Sequence, residues 1–114
     1  MARKRSDLLL GTLEMMVLRT LAGEPTHGWG LSLRIEQITG GVFRINQGSL
    51  YPALQRILKK GWIRSEWRVS ENNRRARYYL LTASGRRRLE HEIVEWERVT
   101  GAVNRVLGLV GQEG

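Results

Sequence analysis

Asn46-Gln47-Gly48-Ser49-Leu50-Tyr51-Pro52-Ala53-Leu54-Gln55-Arg56-Ile57-Leu58-Lys59-Lys60-Gly61 is the stretch whose spacing organises the rest of the chain. Leu50, Ala53, Leu54, Ile57 and Leu58 stand at i, i+3, i+4, i+7 and i+8, the apolar face of an amphipathic helix. Gly61 closes that helix. Gly48, Ser49, Pro52, Gln55, Arg56 and Lys59 fall on the opposite side, with Tyr51 at the boundary. No carboxylate occurs from Val42 to Arg64. A carboxylate there would repel phosphate, whereas amide and guanidinium groups match the donors and acceptors on base edges. A merely solvated polar face is the competing explanation. Pro52 is a local conflict. If Asn46 caps the helix, Pro52 costs an internal hydrogen bond; if Ser49 caps it, Pro52 lies near the tolerant first turn.

Downstream of this helix, Trp62–Arg68 mixes β-branched and aromatic residues at a period near two, and Ala76–Leu81 does the same. Between them Val69–Arg75 is a polar turn, with asparagines tolerant of positive φ and Arg74 and Arg75 at the tip. These two strands form a hairpin. Its arginines suit phosphate contact, and equally suit an edge ribbon protected from aggregation.

Upstream, Asp7 is placed to cap a helix over about 8–22, with Leu10, Leu13, Val17 and Leu21 as its stripe. Gly23-Glu24-Pro25 ends it, and Thr26 is placed to cap a second helix carrying Leu31, Ile35 and Ile38. Gly40-Gly41 stops that helix, and Val42-Phe43-Arg44-Ile45 reads as a brief strand. Three helices followed by a hairpin with a basic tip make a winged helix-turn-helix, whose third helix enters the major groove.

From Thr82 onward a last helix carries Leu89, Ile93, Trp96, Thr100, Val103, Leu107 and Val110 at alternating spacings of four and three. The rest of so short a domain cannot bury the whole stripe, so part of it packs at home and part on a second subunit. Gly101, Gly108 and Gly111 each weaken the helix by up to ~1 kcal/mol relative to Ala, so a partner is expected to hold the tail helical. Arg86-Arg87-Arg88 occupy its start, where the macrodipole opposes cations by roughly 0.3–1 kcal/mol each. That cost makes sense if phosphate approaches from that side.

The expected architecture is therefore mostly α with a small β-hairpin: a winged helix-turn-helix over residues 1–81 and a long C-terminal dimerisation helix over 82–114. Charge agrees with it. Of the formal +8, residues 42–88 hold twelve basic side chains against two acidic, while residues 89–114 are net acidic. A 41% hydrophobic share suffices for a modest core. No apolar run approaches the ~20 residues of a membrane span, the N-terminus lacks the apolar stretch of a signal peptide, and there is no cysteine. No cysteine means no disulfide framework, thiolate nucleophile or cysteine-rich zinc site, which suits a reducing cytoplasm.

Catalysis finds no support. His27 beside a glycine-rich helix start reads as a capping or structural residue. His91 and Glu95 stand one helical turn apart, but no third metal ligand follows at suitable spacing. Gly28-Trp29-Gly30 lacks the third glycine of a dinucleotide fingerprint, and Ser49 and Ser84 have no evident base. No cofactor or metal is expected. An RNA-binding winged helix and a protein-interaction module are the remaining alternatives; base footprinting on duplex DNA separates the first and salt dependence the second.

Five stretches together resemble the PadR family of bacterial transcriptional regulators: Leu10-Gly11-Thr12-Leu13-Glu14, His27-Gly28-Trp29-Gly30-Leu31, Gly48-Ser49-Leu50-Tyr51-Pro52-Ala53-Leu54, Lys60-Gly61-Trp62-Ile63, and Arg77-Tyr78-Tyr79-Leu80-Leu81-Thr82-Ala83-Ser84-Gly85. Trp29 stands where the family often has tyrosine. The resemblance implies a homodimer that represses transcription at a palindromic operator, in the short subgroup with one C-terminal helix. It also implies that Gln47, Ser49 and Tyr51 occupy recognition-helix contact positions and Arg74 and Arg75 the wing. With the outward residues of the helix and strand, the expected DNA-facing set is Gln47, Ser49, Tyr51, Gln55, Arg56, Lys59, Arg74, Arg75 and Arg77. The expected dimer set is Leu89, Ile93, Trp96, Val103, Leu107 and Val110. Some members respond to aromatic compounds near the dimer interface, so Trp96 is either a packed seam residue or a platform for a small aromatic ligand.

Overall fold

The computed structural model describes the backbone of residues 2–109 and the side chains of residues 11–109. Helix α1 (Ala2–Gly23) is followed by a short strand β1 (Thr26–His27), α2 (Gly28–Ile38), α3 (Gln47–Lys59), the hairpin β2 (Ile63–Val69) and β3 (Arg75–Leu81), and α4 (Ala83–Leu107). The strands form one antiparallel sheet in the order β1-β3-β2. This is a winged helix with a long C-terminal helix.

Each helix start has an identifiable cause. Asn46 caps α3: its side-chain oxygen accepts the Ser49 N–H at 2.8 Å, so Pro52 lies inside the helix. Thr82 caps α4 by accepting the Gly85 N–H at 3.0 Å. His27 caps α2, its Nδ1 accepting the Gly30 N–H at 3.0 Å, as the glycine-rich context led us to expect of a capping histidine. Thr26, expected there, instead lies in β1.

Three further differences have local reasons. Helix α1 begins at Ala2, which puts Asp7 inside it rather than at its cap. Val42–Ile45 is not a strand, because the Val42 N–H donates to the Thr39 carbonyl and the Phe43 N–H to the Thr39 hydroxyl. Those bonds wind the segment onto the end of α2, and Thr26–His27 supplies the third strand by pairing with Tyr79 and Tyr78. Helix α4 stops at Leu107 because Gly108 adopts the left-handed conformation, φ 77°. Val110 and Gly111 lie outside the described residues.

The core gathers one stripe from every helix. Leu13, Val17, Leu18 and Leu21 of α1 meet Leu31 and Ile35 of α2 and Leu50, Ala53, Leu54 and Ile57 of α3, with Ile63, Tyr79 and Leu89 closing the sheet and α4 sides. Burying each such aliphatic side chain is worth about 1.5–3 kcal/mol. Leu89, expected in the dimer seam, is 4% exposed and belongs to this core. Its helix docks through a close approach at Gly85, where a Cβ would overlap the Trp62 carbonyl oxygen. That same carbonyl accepts the Thr82 N–H, fixing the start of α4 on the turn after α3.

Candidate nucleic-acid interface

The β2–β3 register decides which wing side chains share a surface. Ser65 pairs with Tyr79, Trp67 with Arg77 and Val69 with Arg75. Side chains alternate across a strand, so these residues share the face on which Tyr79 enters the core, the face toward α3. Arg77 donates from Nε to the Ser65 hydroxyl at 2.9 Å, and its guanidinium lies over the Tyr79 ring. The Arg75 guanidinium lies 4.9 Å over the ring of Trp67. None of these inner-face residues is acidic. Burial raises the Tyr79 phenol above its ordinary value, so it stays neutral beside the arginines.

On the opposite face one carboxylate stands between two arginines. Glu66 accepts from Arg68 at 2.6 Å and from Arg64 at 3.3 Å, and the Arg68 guanidinium lies over the Tyr78 ring. Hydrogen bonding to Arg68 holds the Glu66 carboxyl below its usual range. The wing is thus cationic toward α3 with no carboxylate, whereas one carboxylate offsets part of the charge on the face away from it.

Between α3, the start of α2 and the inner wing face runs a cleft of about 440 Å³, lined by Trp29, Tyr51, Gln55, Trp67, Arg75 and Arg77 among others. Tyr51 leans across the first residue of α2, its hydroxyl only 3.4 Å from where a Cβ on Gly28 would stand. Trp29 and Trp67 are 67% and 59% exposed, large aromatic surfaces left open to solvent.

Among the residues expected to face DNA, Ser49, Tyr51, Gln55 and Lys59 are exposed along α3, and Arg74, Arg75 and Arg77 along the wing. Two others turn elsewhere. Gln47 donates from Nε2 to the hydroxyl of the buried Ser32 at 2.8 Å, joining α3 to α2. Arg56 donates from Nε to Glu14 of α1 at 2.7 Å, its side chain 35% exposed and that of Glu14 15%. Their long side chains sit at the edges of the polar arc, and each finds a partner on a neighbouring helix. Sequence reasoning passed over Trp29 and Trp67. Their exposure and the pairing of Trp67 with Arg77 are visible only in the fold.

A model of the PadR-like family of transcriptional regulators matches residues 17–91, about two thirds of the chain. The chain belongs to that family. This PadR-like regulator is 30% identical over 95 residues to an uncharacterised protein of Lysinibacillus sphaericus, across 83% of the chain and 87% of the relative. Its structure resembles a PadR-like transcriptional regulator of Bacillus cereus with a TM-score of 0.77 at 29% identity, over 89% of this chain and 96% of that one. A transcriptional regulator of Clostridium thermocellum gives a TM-score of 0.78 at 27% identity, over 87% and 96%. Family membership makes the chain a DNA-binding regulator of transcription. No helix among the described residues is long and apolar enough to cross a membrane.

Proposed function

We propose that this PadR-like regulator is a homodimeric, cytoplasmic repressor that binds a palindromic operator and has no catalytic role. The observation that carries the reading is the carboxylate-free surface shared by the outer side of α3 and the α3-facing side of the wing. Helix α3 enters the major groove with Ser49, Gln55 and Lys59 outward, while Arg74, Arg75 and Arg77 engage the flanking backbone. Gln47 and Arg56 support α3 from behind instead of touching bases.

Residues 82–114 supply the dimer contact beyond Leu89. Ile93, Trp96, Val103 and Leu107 are exposed on α4, and an apolar helical stripe of this length needs cover. A two-fold dimer presents two copies of α3, with half-site centres about one DNA turn, or a multiple of it, apart. Footprinting on the protein's own upstream region, titrated at several salt concentrations, tests the reading. Protection of paired half-sites at that spacing supports it, and uniform protection of any duplex contradicts it.

A second reading concerns release from DNA. Trp96 is 44% exposed and lines an apolar cleft of about 210 Å³ between α1 and α4 with Gly11, Thr12, Met15, Glu92, Glu95 and Val99. A planar aromatic effector stacks there on the indole. On this reading Trp96 is a ligand platform in place of a seam residue, so Trp96→Leu abolishes fluorescence quenching by planar aromatics while leaving the dimer and DNA binding intact. Quenching that persists in the variant, given the other three tryptophans, contradicts the assignment.

A further inference from the structure

A second basic surface lies where α3 ends and α4 begins, at the far end of the sheet from the wing tip. The ring of Trp62 carries the Lys60 ammonium 4.7 Å and the Arg88 guanidinium 4.9 Å from its centroid. Two cations held on one ring are fixed in place, so little freedom is lost when an anion meets them. Arg86 and Arg87, which precede Arg88 on α4, are exposed and have no carboxylate partner among the described residues. The first turn of α4 holds no acidic residue to offset the macrodipole. Of the three arginines, Arg88 alone has a counter-charge among the described residues, from Glu92. Lys59, exposed on the outer side of α3, directly precedes Lys60 of this corner in the chain.

We infer that this corner, centred on Lys60, Arg86, Arg87 and Arg88, is a second DNA-backbone site that grips phosphates past the C-terminal end of α3. The inference rests on the duplex-binding reading above and extends it to a surface that touches no bases. Contacts of this kind add affinity without sequence preference and steepen the salt dependence.

The test compares the full-length protein with Arg86→Gln/Arg87→Gln, changes at exposed, unpartnered positions that leave the fold unaltered. Binding to an operator duplex and to a random duplex of equal length is measured across a salt series. The expected result is an equal fold-loss of affinity on both duplexes, unchanged operator preference, and a slope of log K against log salt shallower by about two. Arg86→Lys/Arg87→Lys restores the slope, since a phosphate contact needs charge rather than a planar fork. A parent-like slope in the Gln variant overturns the second site while leaving the wing and α3 reading intact. A parent protein whose duplex binding is insensitive to salt overturns both.

Discussion

The Nε of Arg56 donates to a carboxylate oxygen of Glu14 at 2.7 Å, tying the last turn of α3 to α1. Helix α1 also lies against α4 and, with Trp96, lines the cleft between them. The residue that the helical wheel assigned to DNA therefore ties α3 to α1 instead. Arg56→Ala leaves a largely buried carboxylate unpaired and is expected to cost about 1–3 kcal/mol of stability. Gln55→Ala, one position earlier and exposed, should leave the melting curve in place and lower operator affinity instead. Thermal melts paired with binding titrations check both, and the reverse pattern would return Arg56 to the DNA surface.

The Gln47–Ser32 hydrogen bond makes a parallel prediction for the junction of α2 and α3. Gln47→Ala should lose about 1 kcal/mol of stability and weaken every sequence alike. A double-mutant cycle with Ser32→Ala should show coupling of roughly 0.5–1.5 kcal/mol. A loss of discrimination at a single base pair, with no coupling to Ser32, would instead make Gln47 a base reader.

Glu66 gives a pH signature on the outer side of the wing. Its carboxyl is held low by hydrogen bonding and attraction from Arg68 and then Arg64. A depressed folded-state value means the contribution is present above the unfolded carboxylate range and lost as pH falls through the folded value. The group is exposed, so the effect on stability is small. An NMR titration should place Glu66 below the ordinary glutamate range and move it upward in Arg68→Gln. An unmoved midpoint would mean that the ion pair does not form in solution.

The exposed stripe of α4 makes a prediction about assembly. Val103→Glu puts a charge in the proposed seam without touching the core, since Val103 is 48% exposed. The variant should be monomeric by sedimentation and bind a full operator much more weakly than the parent, with its fold unchanged by circular dichroism. A dimer that survives the substitution would place the interface elsewhere.

The order of the helices and the hairpin, the cap at Thr82 and the extent of α3 were legible in the sequence because each rests on local chemistry or on helical period. Asn46 against Ser49 was settled only by the observed bond between them. The Thr26–His27 strand was not legible: two residues carry no periodicity, and the pairing depends on β3, some fifty positions away. The orientations of Gln47 and Arg56 escaped for a related reason. A helical wheel places a side chain on an arc, and partners on other helices decide where a long one turns. The two faces of the wing follow from register, which the alternation of the strands implied but the turn had to fix.

The most direct test of the central claim sets those two wing faces against each other. Duplex affinity is measured from low to moderate salt for the parent, for Arg75→Gln/Arg77→Gln on the inner face, and for Arg64→Gln/Arg68→Gln on the outer face, where both arginines pair with Glu66. If the α3-facing surface holds DNA, the inner variant binds more weakly and its salt slope falls by about 0.9 for each phosphate it no longer neutralises, while the outer variant keeps the parent slope. Equal weakening in the two variants, or weakening confined to the outer one, would contradict the account.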